Sequence, residues 1–553
     1  MNIFSYLFEK FVSLQKWNMT GLTLLALLLS FFYANISSRI SAGIIQGAQK
    51  NEVVSIYKNY YYFIGASVIF FVTYYIYKIM QNNLLMRLNN WTKEELFAAI
   101  LKFNNENMSN TNFANFIVPI TRIAHSSTVL LNDVLTNLIP TIGFITVVFA
   151  YFFWKNWKLG IGFMIANILI FIYLAIYWRE MFEYKQRQED MVVKNEQYVL
   201  DNLNNIEKVI YRGETKNEMD NFKIKTDECL DYTLKMMTYM TNHTFIMTGM
   251  VYTVMFGSLY YAIQLQTKKE MDTVTFITFL TMLIMYRDNI SDTIQSVPYN
   301  MESIGRIDLI AREFTDMIGT DDITAIIKKE TSYTNVNLPF DYIEFQNVSF
   351  QYAKTDRPVF TNYSKDVDLK DKIIGITGLS GNGKSSFVKL ILRLHQCNSG
   401  KILIDGVDIQ TIDPFYIREN ITYVNQSSKL FDRKVLENIY YGCKDTEKCE
   451  KALAEILSYP KIKELYRNVD LNDSAGPLGD NLSGGQRQVA NLISGLINPT
   501  KILILDEPTN ALDPELKREI LLIIQQFRKY KKCIMIITHD RDVYSLFDER
   551  VEI

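Results

Sequence analysis

Several residue types are scarce in this chain, and each scarcity argues against a class of protein. Its 553 residues include five cysteines and four histidines. No CxxC pair occurs, which disfavours a metal knuckle, and five cysteines are too few for a disulfide framework in a chain of this size. Such sparse cysteines fit a reducing compartment. The formal net charge is only −2, and Lys and Arg form no patch, so we predict no nucleic-acid partner.

Long apolar runs, by contrast, are abundant in the first half of the chain. A spanning helix needs about 20 mostly apolar residues, and six stretches before residue 300 meet this requirement. They lie at about residues 19–40, 59–80, 132–154, 159–178, 243–265 and 273–296. Six buried helices of a large soluble protein would rarely all be this long. The N-terminus lacks a short apolar run with a small-residue cleavage site, so no cleavable signal is predicted.

The loops between these stretches predict how the chain is oriented. Short loops join spans one and two, three and four, and five and six, whereas long polar stretches with helix-like spacing separate the three pairs. The long stretches carry many cations: Lys78, Arg87, Lys93, Lys102 and Arg122, then Arg179, Lys185, Arg187 and Lys194. The positive-inside rule therefore places them in the cytoplasm. Six spans return the chain to its starting side, so the second half is predicted to be cytoplasmic too.

Few polar residues occur inside the predicted spans. The most notable are Asn132, Asp133, Asn137, Arg287 and Asp288. Ionisable groups within a membrane are functional candidates by default. Alternatively, Arg287 and Asp288 lie near the inner interface and pair with each other. The sequence leaves both interpretations open.

The composition changes near residue 318, where a polar connector begins and short strand-like runs follow. We predict an α-helical six-span transmembrane domain at residues 1–318, a linker at 319–340 and an α/β P-loop nucleotide-binding domain at 341–553. The strand-like run KIIGITG is followed by GLSGNGKSS and then by the helical pattern SSFVKLILRL. A glycine loop between a strand and a helix is the context that a phosphate-binding P-loop requires.

The P-loop motif predicts which residues bind the phosphates of a nucleotide. Backbone N–H groups of the loop and the helix N-terminus would surround the phosphates of a nucleotide. Lys384 would reach the β- and γ-phosphates, and the Ser385 hydroxyl would bind Mg²⁺. The predicted phosphate-binding residues are Gly378, Leu379, Ser380, Gly381, Asn382, Gly383, Lys384, Ser385 and Ser386.

Two further strand-like runs end in residues suited to nucleotide hydrolysis. ILILDEPTNALD contains Asp506, which would hold Mg²⁺, and Glu507, which would act as general base on the attacking water. MIITHD contains His539, which would sense the γ-phosphate. Adjacent acids can also mark a plain strand end, and a single histidine is usually structural. The P-loop upstream favours the functional interpretation.

The segment NLSGGQRQ then makes the whole arrangement resemble the ATP-binding cassette (ABC) family, whose LSGGQ signature is highly specific. The resemblance implies that Ser483, Gly484, Gly485 and Gln486 bind ATP across a dimer interface. It also implies that Tyr352 in SFQY stacks on adenine, and that Gln426 in YVNQ contacts Mg²⁺ and the membrane domain. Asp513 in NALD would lie in the loop that crosses between partners.

A six-helix domain followed by one cassette resembles a half-transporter of the type I exporter fold. The resemblance implies a dimer, with a homodimer favoured because no motif is degenerate and a heterodimer still open. It also implies ATP and Mg²⁺ as cofactors and contact with membrane lipids. The transported substrate would be a hydrophobic or amphipathic solute, such as a lipid, a drug-like molecule or a peptide. In this fold short coupling helices lie in the cytoplasmic stretches, here expected near residues 112–120 and 211–222.

Other functions remain as alternatives to export. An ATP-gated regulatory or channel-like protein would bind ATP without pumping, but such proteins often lose the groups that correspond to Glu507 and His539. A peptide exporter would fit the fold, although no attached peptidase is visible, and an importer with a fused membrane domain conflicts with the two long cytoplasmic stretches. The chain also departs from the family: Pro477 stands where a glutamate is usual, two arginines common after the signature are missing, and the chain stops at FDERVEI.

Overall fold

The protein consists of two compact units, and the main division in the chain falls after Lys328. The computed structural model describes residues 3–104, 117–318, 333–352, 355, 357–379, 381–427, 429–510 and 512–553. The first unit is helical, and the second combines strands with shorter helices.

Long helices make up the first unit. In chain order they are α1 (Ile3–Leu14), α2 (Lys16–Phe31), α3 (Ser38–Gln49), α4 (Val53–Asn104), α5 (Ile117–Asp133), α6 (Ile139–Lys155), α7 (Trp157–Asn204), α8 (Ile206–Tyr211), α9 (Thr215–Thr267) and α10 (Thr273–Ile318). A π-helical turn at Phe32–Ser37 joins α2 to α3, and another at Val134–Leu138 joins α5 to α6. The chain therefore continues as one helix through each of these junctions.

Most of the predicted membrane spans coincide with helices that can cross a bilayer. Within the described residues, five helices are long and apolar enough: Lys16–Gln49, Val53–Lys102, Ile120–Lys155, Trp157–Asn204 and Thr215–Thr267. Each contains one of the first five predicted stretches. The sixth stretch, 273–296, begins α10, which is not one of these five. Its apolar run is interrupted by Arg287, Asp288 and Asp292.

The polar groups predicted inside the spans have partners. The Arg287 guanidinium lies 2.7 Å from the Asp288 carboxylate, so these two residues pair, as one of the two alternatives expects. The Asp133 carboxylate accepts hydrogen bonds from the amides of Asn137 and Asn300. Neutral donors thus bind the partly buried Asp133 carboxylate.

Beyond the apolar segments, α7 and α10 are joined by a buried ionic cluster. The Lys185 ammonium lies 3.2 Å from the Glu302 carboxylate, and Arg306 lies 3.3 Å from Glu189. Arg306 also contacts Glu302 at 2.8 Å. Two cations and two carboxylates compensate each other, which offsets the desolvation cost of burying them.

A short helix lies next to one of the two segments where the sequence predicts a coupling helix. The segment at 211–222 begins with the last residue of α8, passes through a turn at Arg212–Glu214 and continues into α9. A separate short helix, α8, ends at the first residue of this segment, and the coupling helix near 211–222 stays a prediction. Of the other predicted coupling segment, 112–120, residues 112–116 lie outside the described residues, and α5 begins at Ile117.

The second unit is built on two sheets. Its strands are β1 (Tyr342–Phe350), β2 (Phe360–Asp368), β3 (Lys372–Thr377), β4 (Ser399–Ile404), β5 (Val407–Asp408), β6 (Ile421–Val424), β7 (Ile502–Asp506), β8 (Cys533–Ile537) and β9 (Glu549–Glu552). An antiparallel sheet has the order β2-β1-β4-β5, and a parallel sheet has the order β6-β7-β8-β3-β9. A parallel sheet directs the carboxyl ends of all its strands to one edge.

Helices cover both faces of the parallel sheet. They are α11 (Lys384–Ile391), α12 (Pro414–Asn420), α13 (Val435–Ile439), α14 (Thr446–Leu457), α15 (Pro460–Leu465), α16 (Gly484–Ile497) and α17 (Pro514–Phe527). Successive side chains of a strand point to opposite faces. Ile502 and Ile504 of β7 therefore pack in the same core as α11, whereas Leu503 and Leu505 pack in the core that contains α16 and α17.

One pair of cysteines forms a disulfide bond that the sequence analysis did not predict. Cys443 and Cys449 form a disulfide bond, whereas the sequence suggested unpaired cysteines. The two residues are close because α14 begins shortly after Cys443 and places Cys449 on its first turn. Cys229, Cys397 and Cys533 are free.

His395 is a buried histidine of the second unit. It is 8% exposed, and within the described residues its Nε2 has no hydrogen-bond partner. It packs edge-on against Tyr352, with ring centroids 5.2 Å apart. Burial lowers the pKa of His395 from 6.5 to about 4, and the positive charge of Lys389 acts in the same direction.

We expect acid to destabilise the second unit through this histidine. The unfolded state binds more protons than the folded state between about pH 6.5 and pH 4, so stability falls as the pH falls through this window. From pH 7 to pH 5 the expected loss is on the order of 2 kcal/mol. Alkylation of the buried Cys533 thiol in urea, followed by mass spectrometry of the full-length protein, reports unfolding of this unit.

His395→Gln should flatten this pH dependence, because the neutral amide takes up no proton. The alkylation chemistry itself depends on pH, so the comparison is between variants at each pH. His125→Gln, an exposed histidine of α5 in the other unit, should keep the wild-type profile. An unchanged pH profile in His395→Gln would contradict the assignment.

Candidate nucleotide site

The loop between β3 and α11 has the geometry of a phosphate cradle. Gly378, Gly381 and Gly383 adopt positive φ angles of 146°, 89° and 98°. A Cβ at Gly378 would lie 2.2 Å from the Ile553 carbonyl oxygen, and one at Gly383 would lie 2.5 Å from a Val359 methyl group. Only glycine fits these two positions.

The side chains of the P-loop lie around this backbone. The Lys384 ammonium folds over the loop and donates to the carbonyl oxygens of Gly378 at 3.0 Å and Leu379 at 2.9 Å. The Leu379 side chain is exposed, and the Asn382 amide donates to the Ile553 carbonyl oxygen at 3.3 Å. Ser380 lies outside the described residues. The lysine charge is thus held at the loop where phosphates would lie.

Tyr352 and the second serine of the loop contact each other. The Tyr352 hydroxyl lies 2.8 Å from the Ser386 hydroxyl, which is buried. The Tyr352 ring packs edge-on against Phe350, with centroids 4.8 Å apart. Ser386 therefore supports the aromatic ring, while Tyr352 itself remains partly exposed beside the loop.

A second cluster forms around Asp506 at the end of β7. One carboxylate oxygen of Asp506 accepts hydrogen bonds from the Ser385 hydroxyl at 3.3 Å and from the Tyr423 hydroxyl at 2.8 Å. Burial raises the pKa of Asp506 above its ordinary value, whereas these two hydrogen bonds act to lower it. The buried carboxylate is therefore held by donors from β6 and α11.

This donor set fits Mg²⁺. Mg²⁺ prefers oxygen ligands and is usually held by one or two carboxylates together with phosphate oxygens and water. Ser385 and Asp506 present a hydroxyl and a carboxylate side by side next to the phosphate cradle. Gln426 is exposed just past the end of β6, whose Val424 pairs with Leu505 of β7.

Glu507 and His539 meet at the ends of neighbouring strands. A Glu507 carboxylate oxygen lies 2.7 Å from His539 Nδ1, and the other accepts a hydrogen bond from the Thr538 hydroxyl at 3.3 Å. The Glu507 side chain is only 12% exposed, whereas His539 is 71% exposed. The Glu507 carboxylate is thus largely buried, whereas the His539 imidazole is exposed to solvent.

The backbone of Glu507 is strained and is held in place by hydrogen bonds. Its φ is +51°, in the left-handed region that side chains rarely adopt. Such a conformation costs about 1–3 kcal/mol and persists only when neighbouring structure enforces it. The Glu507 N–H donates to the Ile537 carbonyl at 2.8 Å, and the Gln488 amide donates to the Glu507 carbonyl at 3.1 Å.

The signature residues cap a helix on the other face of the sheet. The Ser483 hydroxyl accepts from the Gln486 N–H at 3.3 Å, and the Gln486 side chain accepts from the Ser483 N–H at 2.8 Å. This capping box begins α16, and Gly484 and Gly485 are its first residues. Asp513 likewise caps α17 by accepting from Leu516 N–H at 3.0 Å.

Three polar residues of the site were not singled out from the sequence. They are Tyr423 on Asp506, Gln488 on the carbonyls of Glu507 and Pro508, and Thr538 on the Glu507 carboxylate. Tyr423 and Gln488 lie inside the segments YVNQ and NLSGGQRQ that carry the family resemblance. Their proximity to those motifs was the available signal, whereas their contacts require the folded sheet.

Comparisons with known proteins identify both units. Residues 364–510 match the family model described as ABC transporter, and residues 17–289 match the ABC transporter transmembrane region. An ATP-dependent lipid A-core flippase of Pasteurella multocida is 35% identical over 211 residues, 38% of this chain and 36% of the flippase. A Rickettsia felis protein described as an export ATP-binding/permease protein is 25% identical over 509 residues, covering 89% and 84% of the two chains.

A solved structure supports the same architecture. A bacterial Atm1-family ABC exporter with ATP bound superposes with a TM-score of 0.80 at 20% identity, covering 98% of this chain and 94% of that chain. At this identity the likeness concerns the fold alone. Because the two family matches together cover most of the chain in this order, the protein is a multi-pass membrane protein that belongs to the ABC transporter family, a half-transporter whose cytoplasmic cassette is an ATPase domain.

Proposed function

We propose that this chain acts as a homodimer that exports a hydrophobic or amphipathic solute across a membrane by alternating access, driven by ATP binding and hydrolysis. The membrane domain would comprise residues 1–318, and the linker 319–340 would lead to the cassette at 341–553. The names of two relatives, a lipid A-core flippase and an export ATP-binding/permease protein, support export of such a solute.

The observation that carries this proposal is the hydrolytic geometry around Glu507. Its carboxylate contacts His539 and Thr538, and its backbone is held by Gln488. A carboxylate sheltered from water but open toward one imidazole suits a general base at a γ-phosphate. Retention of this arrangement disfavours the alternative of an ATP-gated regulatory or channel-like protein that does not pump.

We assign roles in ATP binding and hydrolysis to the other predicted site residues. Lys384 would turn from the loop carbonyls to the β- and γ-phosphates, and Tyr352 would stack on adenine. Mg²⁺, when bound with ATP at Ser385, Asp506 and Gln426, supplies charge neutralisation on the phosphates. His539 would hold the Glu507 carboxylate in line with the attacking water and contact the γ-phosphate.

The signature suggests that each ATP site is shared between two chains. The Ser483 side chain bonds to Gln486 at the start of α16, which packs on the opposite sheet face from α11. A P-loop would therefore be completed by the partner's Ser483, with the neighbouring glycines and Gln486, and by the loop at Asp513. Moving a two-state equilibrium from 1:99 to 99:1 requires about 5.5 kcal/mol of differential binding, a modest demand on two buried triphosphates.

Glu507→Gln tests the role of the carboxylate. The amide preserves shape but accepts no proton, so we expect ATP hydrolysis to fall by at least about a hundredfold while ATP binding is kept. Phosphate release and equilibrium nucleotide binding by the purified protein in nanodiscs measure the two effects. Glu515→Gln, an exposed carboxylate at the start of α17, should hydrolyse ATP normally. Turnover near the wild-type rate in Glu507→Gln would refute the assignment.

A mixed dimer tests the shared sites. We consider a Lys384→Ala protomer combined with a Ser483→Arg protomer, each inactive alone, and purified through two different tags. In a head-to-tail dimer, one nucleotide site contains both substitutions. The other site is formed by an unaltered P-loop and an unaltered signature. Nucleotide trapping should therefore return in the mixed species.

The appropriate control is each variant assembled with itself, which should trap no nucleotide. If every chain built its own site, both protomers of the mixed dimer would remain defective. Absence of recovered trapping in a correctly assembled mixed dimer would therefore count against shared sites. A requirement for a different partner chain would instead appear as failure of the unmodified protein to trap nucleotide on its own.

A further inference from the structure

An open cavity of about 260 Å³ lies within the helical unit. It is bordered by α2 and the π-helical turn that follows it, by α4, by the π-helical turn between α5 and α6, by α6 and by α10. One wall is aromatic: Phe70 and Tyr74 stack with centroids 6.1 Å apart, and the Tyr33 ring lies 6.5 Å from Phe70. We call this space, lined by Tyr33, Phe70, Tyr74, Lys78 and Thr136, the Lys78 cavity.

Lys78 provides the cavity with a single ammonium group. Its Nζ donates to the Gln81 side chain at 2.9 Å. Gln81 is 1% exposed and donates in turn to Asn132 at 3.0 Å and to Thr136 at 2.8 Å. The lysine is therefore connected to a buried polar network, which distinguishes it from a side chain that only extends to the membrane surface.

The charge of Lys78 is not balanced by a carboxylate within the described residues. No Asp or Glu of the described chain lies within 4.0 Å of its Nζ. Within the described residues, Lys78 is therefore a cation of the cavity with no carboxylate beside its ammonium group.

Two π-helical turns shape the cavity. They lie at Phe32–Ser37 and Val134–Leu138. Tyr33 belongs to the first turn and Thr136 to the second, and the second turn is tied to α4 because the Tyr77 hydroxyl donates to the Leu135 carbonyl at 2.5 Å. These are the only π-helical turns in the described part of the chain. Such turns are rare and occur frequently at functional sites.

We infer that the Lys78 cavity binds the anionic head of an amphiphile, a phosphate or carboxylate attached to an apolar body. Lys78 would form a charge-assisted hydrogen bond with the anion, and the apolar body would lie against Phe70 and Tyr74. The volume is slightly below the roughly 300–1,000 Å³ typical of ligand sites, so the cavity accommodates a head and the beginning of a chain. This inference rests on the proposed export function and names its substrate class.

Binding of simple amphiphiles to the full-length protein tests the inference. The protein is placed in nanodiscs of zwitterionic lipid without nucleotide, and equilibrium binding is measured with radiolabelled decyl phosphate, decanoate, decyltrimethylammonium and decanol. We expect saturable binding of both anions, tighter than that of the cation. The tighter of the two anions identifies the head that the site prefers.

Substitution of the lysine provides the decisive comparison. Lys78→Met keeps the length of the side chain and removes the charge, so the Kd of both anions should rise about tenfold or more, while decanol affinity changes little. Lys78→Arg should retain binding of the anions. The matched control is Lys58→Met, an exposed lysine of the same helix whose Nζ lies 5.9 Å from the Tyr62 ring, and it should bind like the wild type.

Unchanged anion binding in Lys78→Met, or an equal loss in Lys58→Met, would overturn the inference. If Lys78→Met does not assemble, a decyl phosphate with a terminal diazirine is photo-crosslinked to the unmodified protein. Labelling of the peptide that contains Phe70 and Tyr74 is expected, and labelling elsewhere alone would overturn the site. ATP hydrolysis is measured separately. Anion binding without ATP hydrolysis would contradict the proposed export function, whereas ATP hydrolysis without anion binding would contradict the proposed anion site.

Discussion

The nucleotide site depends on the parallel pairing of β3, β7 and β8. In this register Asp506 pairs with Ile537, and Ile376 pairs with Ile537 from the other side. The residues that follow the three strands therefore meet at one edge of the sheet. The P-loop, the Asp506–Glu507 pair and His539 come from distant parts of the chain, and this pairing brings Ser385 within 3.3 Å of Asp506 and His539 within 2.7 Å of Glu507.

Around this edge, the candidate functional groups are held by neighbouring side chains. Tyr423 and Ser385 hold Asp506, and Gln488 supports the strained backbone of Glu507. Burial disfavours the ionised form of a carboxylate, whereas donated hydrogen bonds favour it. Burial therefore raises the pKa of Asp506, and the hydrogen bonds from Tyr423 and Ser385 oppose that shift.

In the helical unit, too, most charged groups described above are held by neighbouring side chains. The Asp133 carboxylate and the Arg287 guanidinium both find partners within the unit, as do the charges that join α7 and α10. Lys78 differs, because its hydrogen bond goes to the neutral Gln81 side chain. A cation that is held but not neutralised is well suited to an anionic ligand, and this difference sets the Lys78 cavity apart from the other polar clusters.

Much of the architecture could be predicted from the sequence, because the signals are local. A run of apolar residues is sufficient to indicate a helix that spans a bilayer, and GNGKSS between a strand and a helix is sufficient to indicate a P-loop. The separate short helix α8 was not predicted, since a short helix and a turn have similar polar composition. The disulfide between Cys443 and Cys449 was missed because cysteine spacing alone does not show whether two side chains face each other.

By itself, the sequence determined which residues form each phosphate-binding and hydrolytic motif, since each motif is contiguous and its chemistry depends on residue type. The tertiary structure alone decided which side chains surround those motifs. Tyr423, Gln488 and Thr538 act through contacts across strands and helices, and the Lys78 cavity is lined by four helices, α2, α4, α6 and α10, and by two π-helical turns. Contacts between residues distant in the chain depend on strand register and helix packing, which local sequence patterns do not specify.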